Sequence, residues 1–291
     1  MLFVTDLLKV FLRIILDLVW IELGEIYDLK IIFKINKKNI EYEQLYYMEF
    51  FSQRFDDIKK SKNPEVINDF LIKLSKSPNI EYFSILDYFI DEIDIQILEK
   101  VKLNLVFLIG EIGKGSVIDT KYLEFLSKTY YSSDRWIRNE IIQAFGKILK
   151  KTEISQDAIE LIGYAINDEY PPIKVNALRI LLNLDDIPLF VRRNLFFTLN
   201  LKNSELEELC VKIFEKFLPD FNKLFNSLNY SDNYLILKPK AIRSLLIIYF
   251  KSPINLESFR KKISSSNWEI EHRERYLKEI DTYEKILLKK I

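Results

Sequence analysis

An all-α fold, a solenoid of stacked helical hairpins, is what this sequence predicts, and three observations predict it. A phrase recurs every 36 residues: Val101-Lys102 opens an apolar run ending Phe107-Leu108-Ile109-Gly110, Ile137-Arg138 one ending Ala144-Phe145-Gly146, and Ile173-Lys174 one ending Ile180-Leu181-Leu182. A fixed period of this size marks units that bury their apolar faces only against their neighbours. Of 291 residues only 6 are Gly and 8 are Pro. That scarcity suits helices joined by short turns and disfavours an all-β fold or a Gly-rich nucleotide-binding design. Polar breaks also arrive at regular intervals, and the segments between them carry apolar residues at helical 3–4 spacing.

In residues 1–23, Asp6, Lys9, Arg13 and Asp17 recur at spacings of 3 or 4. They fall on one face of an amphipathic helix and interrupt the apolar run, so neither a membrane span nor a signal peptide is expected, and the chain reads as cytoplasmic. Residues 31–43 alternate with period 2 around Lys37-Lys38, which fits a hairpin, with a helix as the competing reading. Residues 1–60 are thus an atypical N-terminal segment expected to pack on the array.

The repeats occupy 61–255. Breaks fall at Lys62-Asn63-Pro64, Ser77-Pro78-Asn79, Gly113-Lys114-Gly115-Ser116, Ser132-Ser133-Asp134, Tyr170-Pro171-Pro172, Asp185-Asp186-Ile187-Pro188, Pro219-Asp220, Ser231-Asp232-Asn233 and Ser252-Pro253, among others. Asp134 before Trp136-Ile137-Arg138 and the paired Pro171-Pro172 are helix-start signals. Gly110, Gly113 and Gly115 read as helix stops. Within 256–291, the apolar positions Ile270, Tyr276, Leu277, Ile280, Ile286, Leu287 and Ile291 lie among charges, as in an amphipathic helix that caps the array. The alternative is a protruding helix that enters a partner's groove, or touches a membrane surface through Lys285, Lys289 and Lys290.

The segment Asp134-Arg135-Trp136-Ile137-Arg138-Asn139-Glu140-Ile141-Ile142-Gln143-Ala144-Phe145-Gly146 resembles the second helix of a HEAT repeat. So does Asp168-Glu169-Tyr170-Pro171-Pro172-Ile173-Lys174-Val175-Asn176-Ala177-Leu178. The shared pattern is an Asp in the intra-repeat turn, often a Pro, an aliphatic-basic pair, then small and apolar residues. The likeness covers roughly 98–218, with Lys240-Ala241-Ile242-Arg243-Ser244-Leu245 and Pro64-Glu65-Val66-Ile67 as degenerate outer copies. It implies a right-handed α-α superhelix of about six or seven HEAT-like, armadillo-like hairpins. It further implies a structural ladder of ion pairs between adjacent repeats, formed by the turn acid and the basic residue and by match involving Asp134 with Arg138 and Asp168 with Lys174, and second helices lining the concave side. Function is left open, because HEAT arrays occur in transport adaptors, chromosome-structure complexes, phosphatase scaffolds, bilin lyases and a few DNA glycosylases.

Lys plus Arg and Asp plus Glu each number 43, so no global field draws the chain to nucleic acid or membrane. Residues 238–291 nevertheless carry 13 basic against 7 acidic side chains, a local excess of 6. The lone cysteine, Cys210, excludes an internal disulfide and a cysteine-rich zinc site and reads as a small core residue. The lone histidine, His272, sits in a charged segment where it is expected to face water. Asp87, Asp91, Glu92 and Asp94 lack the Gly-containing loop of a calcium site and read as a solvated acidic face. No catalytic residue, cofactor or metal site is expected.

Carried along the period, the second helices present three ridges: Phe107, Gln143, Arg179 and Glu215; Asn104, Glu140, Asn176 and Lys212; Glu111, Lys147, Asn183 and Pro219. A phosphate-tracking groove would stack Lys and Arg on successive rungs, whereas every ridge here mixes signs and types, as suits a polypeptide with its own mixed polar surface. The expected function is therefore a non-catalytic scaffold or adaptor gripping a protein partner through Asn104, Phe107, Trp136, Glu140, Gln143, Asn176 and Arg179. Phe107, Trp136 and Arg179 are the candidate anchors. The alternative is a nucleic-acid-associated HEAT protein using the basic C-terminal third. Its glycosylase form rests on resemblance: such enzymes place an aromatic residue and a carboxylate four apart on a concave helix, here Trp136 and Glu140, with Arg179 as a cation. In those enzymes the acid is typically Asp, and the later aromatic rung falls to Phe214.

Overall fold

The computed structural model describes residues 54–288, with side chains to residue 286. The chain divides into two compact units, Met1–Lys62 and Asn63–Ile291. In the first, residues 54–60 are helical. The expected first helix at 1–23, the segment 31–43, and Lys289, Lys290 and Ile291 lie outside the described residues.

Helices follow one another through the second unit: α1 (Pro64–Ser75), α2 (Phe83–Asp91), α3 (Ile95–Gly115), α4 (Thr120–Tyr131), α5 (Arg135–Ile148), α6 (Gln156–Ala165) and α7 (Pro171–Leu181). Then come α8 (Leu189–Leu199), α9 (Ser204–Phe217), α10 (Phe221–Asn229), α11 (Pro239–Tyr249), α12 (Pro253–Ser264) and α13 (Ile270–Leu288). Short 3-10 turns at Ile80–Tyr82 and Tyr230–Leu235 complete it, and no strand occurs among the described residues. Each hairpin α2–α3, α4–α5, α6–α7, α8–α9 and α12–α13 packs on itself. The second helices α1, α3, α5, α7 and α9 pack in one row, and the first helices α4, α6 and α8 in another. Contacts thus run between near neighbours in sequence, the geometry of an α-solenoid.

Local chemistry sets the helix starts. Asn63, Asp94, Asp119, Asp134, Ser155, Asn203 and Asp220 each accept a backbone N–H of the first turn, satisfying donors that have no partner within the helix. Helices α7 and α11 start on proline instead, where a missing N–H costs nothing. Between the rows lies an apolar layer that includes Ile142, Phe145, Leu161, Leu178, Leu195 and Ile213, each at most 1 % exposed. Phe196 of α8 stacks on Phe214 of α9 at 5.2 Å. Cys210 belongs to this layer, and burial pushes its thiol pKa up. No helix among the described residues is long and apolar enough to cross a membrane.

Three sequence expectations need correction. Gly110 and Gly113 lie inside α3 and do not stop it. A Cβ on Gly110 would sit 3.0 Å from the Ala144 Cα, and one on Gly113 only 2.5 Å from Ile148 Cγ1. Their role is to let α3 and α5 approach closely, while Gly115, at the end of α3, meets nothing within 4 Å. His272 does not face water. Its side chain is 15 % exposed, with the ring edge-on to Tyr234 at 5.9 Å. The acidic cluster is partly committed to structure: Asp87 accepts the Tyr122 hydroxyl at 2.6 Å and pairs with Lys121 at 2.5 Å, and Asp94 caps α3.

The last helix packs down. Tyr276 and Ile280 are buried, the Tyr283 hydroxyl donates to the Phe250 carbonyl at 2.8 Å, and Arg243 of α11 pairs with Glu279 at 2.6 Å. Arg260 of α12 holds Asp281 and Glu284 of α13. An aromatic stack of Phe225, Trp268 and Tyr234 lies beneath it, the last two rings 4.6 Å apart and nearly parallel. Helix α13 therefore covers the apolar side that the last hairpins would otherwise expose. In the turn before α11, Ser231 and Asp232 adopt left-handed φ of 50° and 53°. Arg193 holds them there by donating to the Ser231 carbonyl and to Asn233, itself buried and bonded to the Ser227 carbonyl.

Candidate functional site

An ion pair with a buried acid ties α5 to the turn before α7. The Arg138 guanidinium grips Asp168 through two nitrogens, at 2.8 and 3.1 Å, across 30 residues. Asp168 also accepts the Tyr130 hydroxyl at 3.0 Å and the Tyr170 N–H at 2.9 Å. Burial alone would raise the Asp168 pKa, but the guanidinium, the Tyr170 N–H and the Tyr130 hydroxyl together hold it below the ordinary 3.8. The bond to Asp168 conversely raises Arg138, and burial beside Asp168 pushes the Tyr130 hydroxyl up.

This corrects the expected ladder. Asp134 does not pair with Arg138: its carboxylate caps its own helix, accepting the Trp136 and Ile137 N–H groups at 2.8 and 3.1 Å. Arg138 reaches forward to the acid of the next turn instead. Lys174 makes no ion pair among the described residues, because Asp168 is already saturated by Arg138, Tyr130 and its own turn.

The predicted ridge residues stand on α3, α5, α7 and α9 or just beyond their ends. Asn104 donates to the Asn68 side-chain Oδ1 at 2.7 Å, Asn68 donates to the Lys100 backbone carbonyl at 3.2 Å, and Asn176 donates to the Asn139 Oδ1 at 3.1 Å. Paired amides thus tie α1 to α3 and α5 to α7. Asn68 and Asn139 were not among the predicted residues. Asn68 stands 36 positions before Asn104, so extending the period one rung outward finds it. Lys147 lies between Glu111 and Glu140 at 3.1 and 3.2 Å, with its ammonium 4.4 Å above the Phe107 ring. Arg179 pairs with Glu205 at 2.9 Å, both side chains more than half exposed.

Gln143, Lys147, Asn176, Arg179 and Asn183 line a shallow cleft of about 290 Å³ between α5 and α7, floored by Ile142, Gly146 and Ile180. Glu140 and Phe107 border it through Lys147, whereas Asn104 faces α1. Trp136 stands apart at the start of α5, 56 % exposed, edge-on to Tyr170 at 5.7 Å with Arg135 over both rings. Beyond α7 the register slips: α5 and α7 start 36 residues apart, α7 and α9 only 33. A larger cleft, of about 600 Å³, lies at the end of α5 away from Trp136, between the loops 149–154 and 183–188, and shares only Asn183 with the predicted ridges.

In the basic C-terminal third, four of the cations are held in ion pairs. Lys240 pairs with Glu207, Arg243 with Glu279, Arg275 with Glu271, and Arg260 with three carboxylates. Phe214, the aromatic rung of the glycosylase arrangement, is 1 % exposed and stacked in the core, and Glu140 is held by Lys147.

No protein-family model and no curated protein matches this chain. Among solved structures, an engineered protein is similar over 79% of this chain and 98% of its own, at 13% identity and a TM-score of 0.41. A designed armadillo repeat protein in complex with a (KR)4 peptide aligns over 79% and 98%, at 13% identity and TM-score 0.42. A chain of the Pds5–Scc1 complex aligns over 81% of this chain and 39% of its own, at 16% identity and TM-score 0.38.

Proposed function

We propose that this HEAT-like α-solenoid is a non-catalytic scaffold or adaptor that holds another polypeptide along its row of second helices. The observation that carries the reading is the make-up of that row: amide pairs at Asn68–Asn104 and Asn139–Asn176, ion pairs of both signs, and a cleft between α5 and α7. Each paired amide uses one or two of its hydrogen-bonding sites and keeps others to offer. A polypeptide backbone presents donors and acceptors alternately and can use both. A phosphodiester presents acceptors and charge, and would ask for a cation at each rung. Phe107 and Trp136, both partly exposed beside cations, are the side chains whose burial would contribute most to binding.

The test is to capture the partner from the native host with the full chain as bait, then measure its affinity for variants. Phe107→Ala and Trp136→Ala are each expected to weaken binding about tenfold or more. Wild-type affinity in both variants would overturn the reading. Duplex DNA binding that collapses steeply with salt and ignores both substitutions would favour the nucleic-acid alternative instead.

A further inference from the structure

Along the first-helix row, an exposed aromatic residue recurs at a spacing that the 36-residue phrase does not contain. Tyr131, Tyr164, Phe197 and Tyr230 follow one another at intervals of 33 residues. They stand in the last turn of α4, α6 and α8, and immediately after α10. Their exposures are 68, 56, 44 and 41 %. Single exposed aromatic residues are common on protein surfaces, but a row placed alike in four successive repeats is not.

The row is continuous. Helices α4 and α6 pack together, as do α6 and α8, and α8 packs on the 3-10 turn that carries Tyr230. Tyr164 lies 5.6 Å from Phe190 at the start of α8. Arg193 sits 5.7 Å over Phe197 and donates to the carbonyl of Ser231, the residue after Tyr230. The Tyr131 hydroxyl is raised by partial burial, then by neighbouring Tyr164 and Glu160, as expected of adjoining rungs.

Two properties select the ligand. The first is charge. One helical turn before each ring stand Ser127, Glu160, Arg193 and Asn226, one of each sign, and Arg193 is already spent on Ser231 and Asn233. A nucleic-acid strand would need a free cation per phosphate, so this neutral row complements an uncharged chain. The second is spacing. Packed helices lie about 8–10 Å apart, which sets the distance between rings. A β-strand repeats a face about every 6.7 Å and an α-helix about every 5.4 Å. A polyproline-II helix repeats every three residues, about 9.3 Å, and leaves all its carbonyls without internal partners. The hydroxyls of Tyr131, Tyr164 and Tyr230 bond nothing among the described residues and can donate to those carbonyls.

We propose that Tyr131, Tyr164, Phe197 and Tyr230 form a docking row for a proline-rich segment of another protein, bound as a polyproline-II helix with one ring per three residues, about nine residues in all. The row belongs to the first helices, so it stands or falls independently of polypeptide binding on the second-helix face.

The test is fluorescence anisotropy of the full chain with a labelled (Pro-Pro-Ala)4 peptide. Saturable binding is expected, weakened about tenfold or more by Tyr164→Ala with Phe197→Ala and again by Tyr131→Ala with Tyr230→Ala. Tyr→Phe at 131, 164 and 230 together is expected to weaken it severalfold, while Phe107→Ala and Trp136→Ala leave it unchanged. All four rings are partly exposed, so the helical circular dichroism of the variants should match wild type. Absence of saturable binding at millimolar peptide, equal binding of a (Gly-Ser-Ala)4 peptide, displacement of the peptide by single-stranded DNA, or wild-type affinity in both double-alanine variants would each overturn the proposal.

Discussion

Replacing Asp168 with alanine is expected to lower the free energy of unfolding by about 3 kcal/mol, the range for breaking a buried, hydrogen-bonded ion pair from one side. The carboxylate is 6 % exposed and serves the Arg138 guanidinium, the Tyr130 hydroxyl and the Tyr170 N–H at once. Its loss leaves a half-buried guanidinium without its counter-charge and a buried phenol without an acceptor. Urea denaturation of both proteins measures the difference. Its pH dependence follows from the folded carboxyl lying below its ordinary 3.8. Above pH about 4 the stabilisation is fully present. As pH falls through the folded pKa the carboxylate takes up its proton, and the gap between wild type and variant should close. A gap that stays constant down to pH 2, or widens, would show that Asp168 acts through something other than its charge.

Gly113→Ala and Gly115→Ala are expected to act with opposite signs although two residues apart. At Gly113 the new methyl would meet Ile148 Cγ1 at 2.5 Å, and a β-branched side chain packed at a helix contact has little freedom to yield. Overpacking of this kind costs about 1–3 kcal/mol. At Gly115 the space is open, and alanine reduces the entropy of the unfolded chain, a gain of about 0.4–1 kcal/mol. Thermal melts of the two variants resolve the signs. Equal stabilisation would mean that α3 and α5 are not in close contact, and that the glycines only end a helix.

The periodic phrase made the helix order legible because it records burial: Val101, Ile173, Phe145, Ile109 and Leu181 are all fully buried. Helix starts were legible for a local reason, since Asp134 and Pro171 act on the turn that follows them. Ion-pair partners were not. The period says that Asp134 and Asp168 are equivalent, but not that Arg138 reaches forward to the second while the first caps its own helix. The glycines misled because a helix stop and a close helix contact both call for a missing side chain. Only the neighbour, Ile148, distinguishes them. The tyrosine row escaped a reading tuned to 36 residues, because Tyr131, Tyr164, Phe197 and Tyr230 recur at 33. On the second-helix face, residue types were readable, but the lean of Asn104 toward Asn68 depends on how α1 packs on α3.

Native-state hydrogen exchange on wild type and Asp168→Ala tests the central claim, that stability and binding surface both arise from hairpins stacked on their nearest neighbours. The loss of protection is expected to be largest in α4 through α7, which meet at the Arg138–Asp168 pair, and to fade with distance toward α1 and α13. An equal loss across all the helices, as from one indivisible core, would contradict it.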